Sequence, residues 1–247
     1  MKSNSEDKVQ SEACPNIYEQ DIFTQIPERV LRPGGLKLTR RMAEYCCFDT
    51  SAKVVDICCG EGVTAEFLQD NFGVAAVGID VSKKLLEIGK ARFPQLQLVE
   101  AAAERLPFAN ESMDGAVVEC SLSVVDNAAK VLAEIGRVLV AGAKLAITDI
   151  YFPDTASFAA TQAGNAAKTA GVMTQAEITQ LLCENGFDVR LWEDHSAVLK
   201  EFIAWFIMEH GSVEPLMKCF SDGHKISHKS ANAFSKLGYY LLIAEKR

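Results

Sequence analysis

Residues 53–66 read KVVDICCGEGVTAE. Val54, Val55 and Ile57 form a short β-rich run that ends in two adjacent cysteines and then Gly-x-Gly. Inside the run sits one carboxylate, Asp56. An unpaired carboxylate in a buried strand is costly, so Asp56 calls for a cationic or hydrogen-bonding partner. Gly60 and Gly62 let the backbone turn tightly and approach a ligand closely. The stretch that follows, TAEFLQDNF, reads as a helix. Strand, glycine turn and helix together open a βαβ unit.

Working outward, the alternation continues. AAVGID (75–80) is a second strand, followed by a helix over 82–93 with Leu85, Leu86, Ile88 and Phe93 on roughly one face. LQLVEA (96–101) and MDGAVVEC (113–120) are the third and fourth strands. A helix over 127–139 leads into a fifth, KLAITDI (144–150). TQAEITQLLCENGF gives a helix that Gly186 is placed to stop. FDVRLWED, the helix SAVLKEFIAWFIMEHG and a last strand GYYLLIAEKR close the chain. Such alternation predicts a doubly wound, mostly parallel α/β sheet. Sheets of this kind bind ligands beyond the carboxyl ends of their strands, where the strand order reverses. Two stretches are weakly patterned, near 151–172 and 211–237. They read as substrate-side cover or, equally well, as ordinary surface loops and helices.

Composition narrows the function. The net charge of −8 opposes a polyphosphate partner, since neutralising many phosphates needs clustered Lys and Arg. The short basic stretch LTRRM reads as a solvated helix face. No apolar run is long enough to span a bilayer, VLVAGAKLAI included. Residues 1–30 read as a polar tail and cover segment ahead of one domain over 31–247. Without the apolar core of an export signal, the cytoplasm is the expected location. The eight cysteines include the vicinal pairs Cys46-Cys47 and Cys58-Cys59 and no CxxC. Sequence neighbours rarely meet disulfide geometry, so these residues are expected to be reduced, with no metal site among them.

What ligand the turn takes depends on Asp56. GEGVTA (60–65) satisfies the loose dinucleotide pattern G-x-G-x-x-A, which makes an NAD(P)-dependent Rossmann oxidoreductase the rival reading. A dinucleotide would bring its pyrophosphate against Asp56, which repels it. A ligand with an ammonium group is attracted instead, and S-adenosylmethionine carries an ammonium, a sulfonium and no phosphate. Asp80, at the end of the second strand, suits both ribose hydroxyls of either cofactor. Its alternative is a cap on the helix starting near Ser82.

From about Gly34 to Asp149 the chain resembles the class I S-adenosylmethionine-dependent methyltransferases. The likeness is greatest with the small-molecule group that includes ubiquinone/menaquinone and arsenite methyltransferases. VVDICCGEG resembles that family's VLDLGCGTG, and GIDVS its second acidic motif. AERLPFANESMDGAVV and EIGRVLVAGAKLAITD resemble its next two motifs, in the same order and spacing. The resemblance implies a Rossmann-like, seven-stranded sheet with an antiparallel last strand, and methyl transfer to a small-molecule acceptor. It implies that Asp56 and the turn of Cys58, Cys59, Gly60, Glu61 and Gly62 hold the methionine moiety. Asp80 would take the ribose, Val81 the adenine face, and Ala103 and Glu104 the adenine border. Glu119 and Cys120 would face the methionine and the acceptor.

This sequence departs from the pattern at Cys58, which replaces a glycine, and at Ala102, where an Asp often meets the adenine amine. Those departures sustain a third reading, a protein that binds the cofactor without catalysis. Gly34 and Thr39, in the helix start LRPGGLKLT, are candidate cofactor neighbours or a plain helix N-terminus. Methyl transfer depends chiefly on alignment, and no catalytic base is identifiable. Cys120, with Cys46, Cys47 and Cys58, raises a soft metalloid acceptor as a hypothesis, and His224 and His228 share helical spacing. Trp192, Phe202, Trp205 and Phe206 are expected to pack the closing strands and their helix.

Overall fold

The computed structural model describes residues 30–153, 171–213 and 236–247. Seven strands form one sheet: β1 Lys53–Ile57, β2 Ala75–Asp80, β3 Gln97–Glu100, β4 Met113–Glu119, β5 Leu139–Tyr151, β6 Phe187–Asp194 and β7 Gly238–Lys246. Their order is β3-β2-β1-β4-β5-β7-β6. All neighbouring pairs are parallel except those made by β7, which runs antiparallel to both β5 and β6. The helices are α1 Gly35–Cys46, α2 Val63–Phe72, α3 Lys83–Arg92, α4 Ala128–Val138, α5 Gln175–Glu184 and α6 Ser196–His210. None of the described helices is long and apolar enough to cross a membrane.

Alternation along the strands divides the core into two layers, one on each face of the sheet. Val54, Val117, Ala146, Tyr239 and Leu241 pack with α1, α2 and α6 on the first face. Val55, Val118, Ile147, Tyr240 and Leu242 pack with α4 and α5 on the second. Asp56 and Glu119 follow Val54 and Val117 by two residues, so both point to the first face. Phe206 is fully buried there, and Trp192 stacks on Tyr240 at 4.6 Å on the other side.

Local signals account for most of the element ends. Thr174 and Glu177 make a reciprocal capping box at the start of α5, and Gly186 follows its end with φ 86°. Ser82 caps α3 by accepting from the Leu85 N–H at 3.2 Å. The expected fifth strand falls short of the observed one, which starts at Leu139 directly from α4. The extra residues pass Gly142, at φ 78°, and a register shift opposite Met113–Gly115. A bulged extension of that kind has no alternating pattern to announce it. Within the weakly patterned regions, 154–170 and 214–235 lie outside the described residues, and with them Met217, Phe220, His224 and His228. The same holds for residues 1–29.

Candidate active site

Strand order reverses between β1 and β4, and the sequence-predicted residues gather at their carboxyl ends. Beyond β1 the chain turns through Cys58, at φ 59°, and Gly60 and Gly62, at φ 56° and 83°. The Cys59 N–H donates to the Ile79 carbonyl and the Gly62 N–H to the Cys59 carbonyl, each at 2.9 Å. Asp80 ties this turn to the next: its Oδ2 accepts from the Gly60 N–H and its Oδ1 from the Ser82 N–H, both at 2.8 Å. The helix cap is Ser82 itself, so Asp80 is held in place by backbone while each oxygen keeps further accepting capacity. Val81, beside it, is 64% exposed, the orientation of an apolar platform rather than a core residue.

The turn residues divide by what they offer. A Cβ on Gly60 would find only Leu85, 3.9 Å away, so the space over its backbone is open. A Cβ on Gly62 would strike Leu96 and Leu98 at 2.8 Å, so packing within the protein also requires a glycine there. Cys59 lies against Gly78, with its thiol toward the first core layer. Glu61 faces α3, where Arg92 Nη1 is 3.4 Å from its Oε2. Gly34 is the left-handed N-cap of α1 and lies beside Val198 of α6. Ala103 is buried in the second core layer and Glu104 is half-buried beside it.

Beneath the turn lies a buried polar cluster. Asp56 is 3% exposed and accepts from the Ala65 N–H at the start of α2. Burial, and then the nearby Glu119 charge, push its carboxyl well above the usual range, against the opposing Arg32 charge. Its Oδ2 has no partner among the described residues. Glu119 accepts from Thr39 Oγ1 at 3.0 Å and from Thr64 Oγ1 at 2.6 Å, and pairs with Arg32 Nη2 at 2.9 Å. The same Nη2 donates to Thr39 Oγ1 at 2.7 Å and Thr64 Oγ1 at 2.9 Å. Two helices and the segment ahead of α1 thus converge on one carboxylate of β4.

The thiols separate across the sheet. Burial, aided by the charges of Asp80, Asp56 and Glu104, pushes Cys58 up to about 12, and it packs on the second core layer. Cys120, at φ 53°, packs on the first and lies 3.0 Å from the Tyr239 hydroxyl; burial raises both groups. Cys46 is buried in the first core layer and Cys47 is exposed. The structure therefore does not bring these four thiols together. Among the described residues no group of three or more His, Cys, Asp or Glu could hold a metal ion. On the second face, Asp149 Oδ2 accepts from the Ser123 N–H and its Oδ1 from Ser123 Oγ, both at 2.8 Å, which anchors the loop after β4.

Residues 55–147 match the family described as a methyltransferase domain. Over that span the chain is similar to methyltransferases. GEGVTA falls inside that match, which favours the methyltransferase reading of the turn over the redox dinucleotide one. A demethylmenaquinone methyltransferase of Renibacterium salmoninarum is 33% identical over 106 residues, 43% of this chain and 44% of that one. The O-methyltransferase rstn1 of Aspergillus nomiae is 32% identical over 133 residues, 51% of this chain and 59% of that one. The chain thus spans about half the length of these curated relatives. Among solved structures, a putative sarcosine dimethylglycine methyltransferase from Galdieria sulphuraria superposes with a TM-score of 0.68 at 15% identity, over 86% of this chain and 85% of that one. The [4+2]-cyclase SpnF superposes with a TM-score of 0.66 at 21% identity, over 85% of this chain and 80% of that one. These two likenesses establish the fold.

The matched span of the methyltransferase domain holds Asp56, the turn, Asp80, Val81, Ala103, Glu104, Glu119 and Cys120. Arg32, Thr39, Thr64, Tyr239 and Asp149 complete the surroundings, and of these only Thr39 is a candidate from the sequence alone. Arg32 sits in the quoted stretch LRPGG, but its target is 87 positions away, and no local spacing reveals it. Tyr239 reaches the site because β7 returns antiparallel beside β5, which puts Gly238 opposite Tyr151.

Proposed function

We propose that this protein transfers the methyl group of S-adenosylmethionine to a small-molecule acceptor. One observation carries the reading: the buried Asp56 Oδ2, without a partner among the described residues, at the carboxyl end of β1 under an open glycine turn. A buried carboxylate oxygen left without a partner at a ligand-binding edge fits a cation, and the cofactor's ammonium is one. The bound cofactor supplies an electrophilic methyl on a sulfonium.

The chain's own residues bind and align. Asp80, clamped by two N–H groups, presents its remaining accepting capacity to the ribose hydroxyls. Val81 offers an apolar face to the adenine, with Ala103 and Glu104 along its border; Gly60, Glu61 and Cys58 contribute backbone at the methionine end. Cys58 and Cys120 are held as thiols by burial, so neither is a competing nucleophile next to the reacting methyl. Orientation of the acceptor then supplies most of what the step needs. The acidic charge of the chain favours a small or neutral acceptor over nucleic acid. We also propose a cytoplasmic location and one domain over residues 31–247.

Calorimetric titration of the purified, reduced full chain with S-adenosylhomocysteine, and separately with NADH, tests this proposal. Micromolar binding of the first alone, lost in Asp80→Ala, is the expected result. Binding of NADH alone refutes it. Cofactor binding with no methyl transfer to any member of a broad panel of phenols, amines, quinols and thiols would favour a binding protein instead.

A further inference from the structure

On the first face of the sheet, beside Glu119, three side chains that carry O–H or S–H groups stand in a row. Thr148 is opposite Glu119 in the pairing of β4 with β5, and Tyr239 is opposite Ile150 in the pairing of β5 with β7. Tyr239 Oη lies 3.0 Å from Cys120 Sγ. Thr148 and Tyr239 are fully buried, whereas Cys120 is half-buried at the exit of β4. Its N–H donates to the Thr148 carbonyl at 2.7 Å, and its φ of 53° is one that a residue with a Cβ adopts at a cost. The Thr148 hydroxyl completes no hydrogen bond among the described residues. Each of the three groups can donate one hydrogen, and a row of three has at most two internal contacts. At least one hydrogen is therefore left without an acceptor, which is costly in a buried place.

The row has a direction. Burial, then the Asp149 charge, raise the Cys120 thiol, and the hydrogen bond from Tyr239 opposes them. Burial, then Cys120, raise the Tyr239 hydroxyl, and Thr148 opposes them. Thr148 thus donates toward Tyr239 and Tyr239 toward Cys120, so the spare hydrogen is the Cys120 S–H, on the half-buried member of the row. We propose that Thr148, Tyr239 and Cys120 form the oxygen-binding subsite of the methyl acceptor, with Cys120 donating to the acceptor's oxygen and the other two as positioning residues behind it. The inference rests on the cofactor reading above. Successive hydrogen bonds polarise one another, so the two hydroxyls strengthen an otherwise weak S–H donor. A row that only donates suits a carbonyl oxygen or an oxyanion, and it holds no base that could take a proton from an ammonium. The matching acceptors therefore carry an ionised phenol or enol, whose charge the neighbouring sulfonium also attracts.

The test uses two probes of nearly one shape, pentafluorophenolate and pentafluoroaniline, titrated by fluorine NMR into the full chain saturated with S-adenosylhomocysteine. The wild type is expected to prefer the phenolate by about 10-fold or more, the factor that one hydrogen bond to a charged group supplies. In Cys120→Ala the preference should fall below about 3-fold, and Cys120→Ser, which restores a donor at the same place, should recover it. Tyr239→Phe removes only the hydroxyl behind the sulfur and should lower the preference by about 3- to 10-fold. No phenolate binding, equal wild-type affinities, or a preference that persists in both Cys120→Ala and Tyr239→Phe overturns the proposal. Should Cys120→Ala fail to fold, Cys120→Ser and Tyr239→Phe are read against the same outcomes. Failure of the wild type to bind S-adenosylhomocysteine, seen before either probe is added, defeats the cofactor reading itself.

Discussion

Removing the charge of Glu119 isolates the energetics of the cluster from ligand binding. Its carboxylate is 4% exposed and takes hydrogen bonds from Thr39 and Thr64 besides the 2.9 Å pair with Arg32. In Glu119→Gln the single remaining oxygen can keep Thr64 and Arg32, but the guanidinium loses its nearest counter-charge. Breaking a buried pair from one side costs about 3–5 kcal/mol; the retained hydrogen bonds and the slight exposure of Arg32 place this variant near about 3. Arg32→Met strands Glu119 and Asp56 together without their cation and should cost about the same. The double variant removes both ends of the pair, and should cost about 3–4 kcal/mol rather than the additive value of about 6, a coupling of about 2–3. For a chain of this size, about 3 kcal/mol lowers Tm by roughly 6–12 °C. Urea unfolding of the four proteins without ligand, followed by near-UV circular dichroism, reads the cycle. Additive losses, or either single change below about 1 kcal/mol, would refute the claim that this pair is a buried, coupled unit.

Two further substitutions probe the strand ends. Burial raises Asp149 to about 6, against the hydrogen bonds from Ser123, Ile150 and Leu122. The folded state therefore holds a proton that the unfolded chain releases near 4. Over that window the group's contribution to stability falls as pH rises, by about 3 kcal/mol in all. The stability of Asp149→Asn relative to wild type should thus improve by about that amount between pH 4 and pH 7.5, measured from urea midpoints; a flat difference would sink the assignment. Cys58 occupies a left-handed conformation that costs a residue with a Cβ about 1–2 kcal/mol, so Cys58→Gly should be more stable than Cys58→Ala by about 1 kcal/mol. An alanine variant at least as stable as the glycine variant would contradict that.

The alternation of strands and helices, the position of the turn and the separate acids Asp56 and Asp80 were legible in the sequence because each is a local pattern. Val54 to Ile57 form an apolar run, and AAVGID and FDVRLWED coincide with β2 and β6 residue for residue. Gly186 stops a helix through its own φ. The same local reasoning could not show that a Cβ at Gly62 would also meet Leu96 and Leu98 across the turn. It also could not say which cation sits nearest Asp56 in the free protein. Sequence by itself determined that a carboxylate stands buried at the end of β1, because hydrophobic periodicity and the glycine turn fix that strand's burial and its exit. Only the tertiary structure decided that Arg32, Thr39 and Thr64 close around Glu119, whose charge acts on Asp56, and that Cys58 and Cys120 face opposite core layers. Those contacts join residues up to 87 positions apart, and such pairings follow from the order and register in which strands assemble, not from any spacing along the chain.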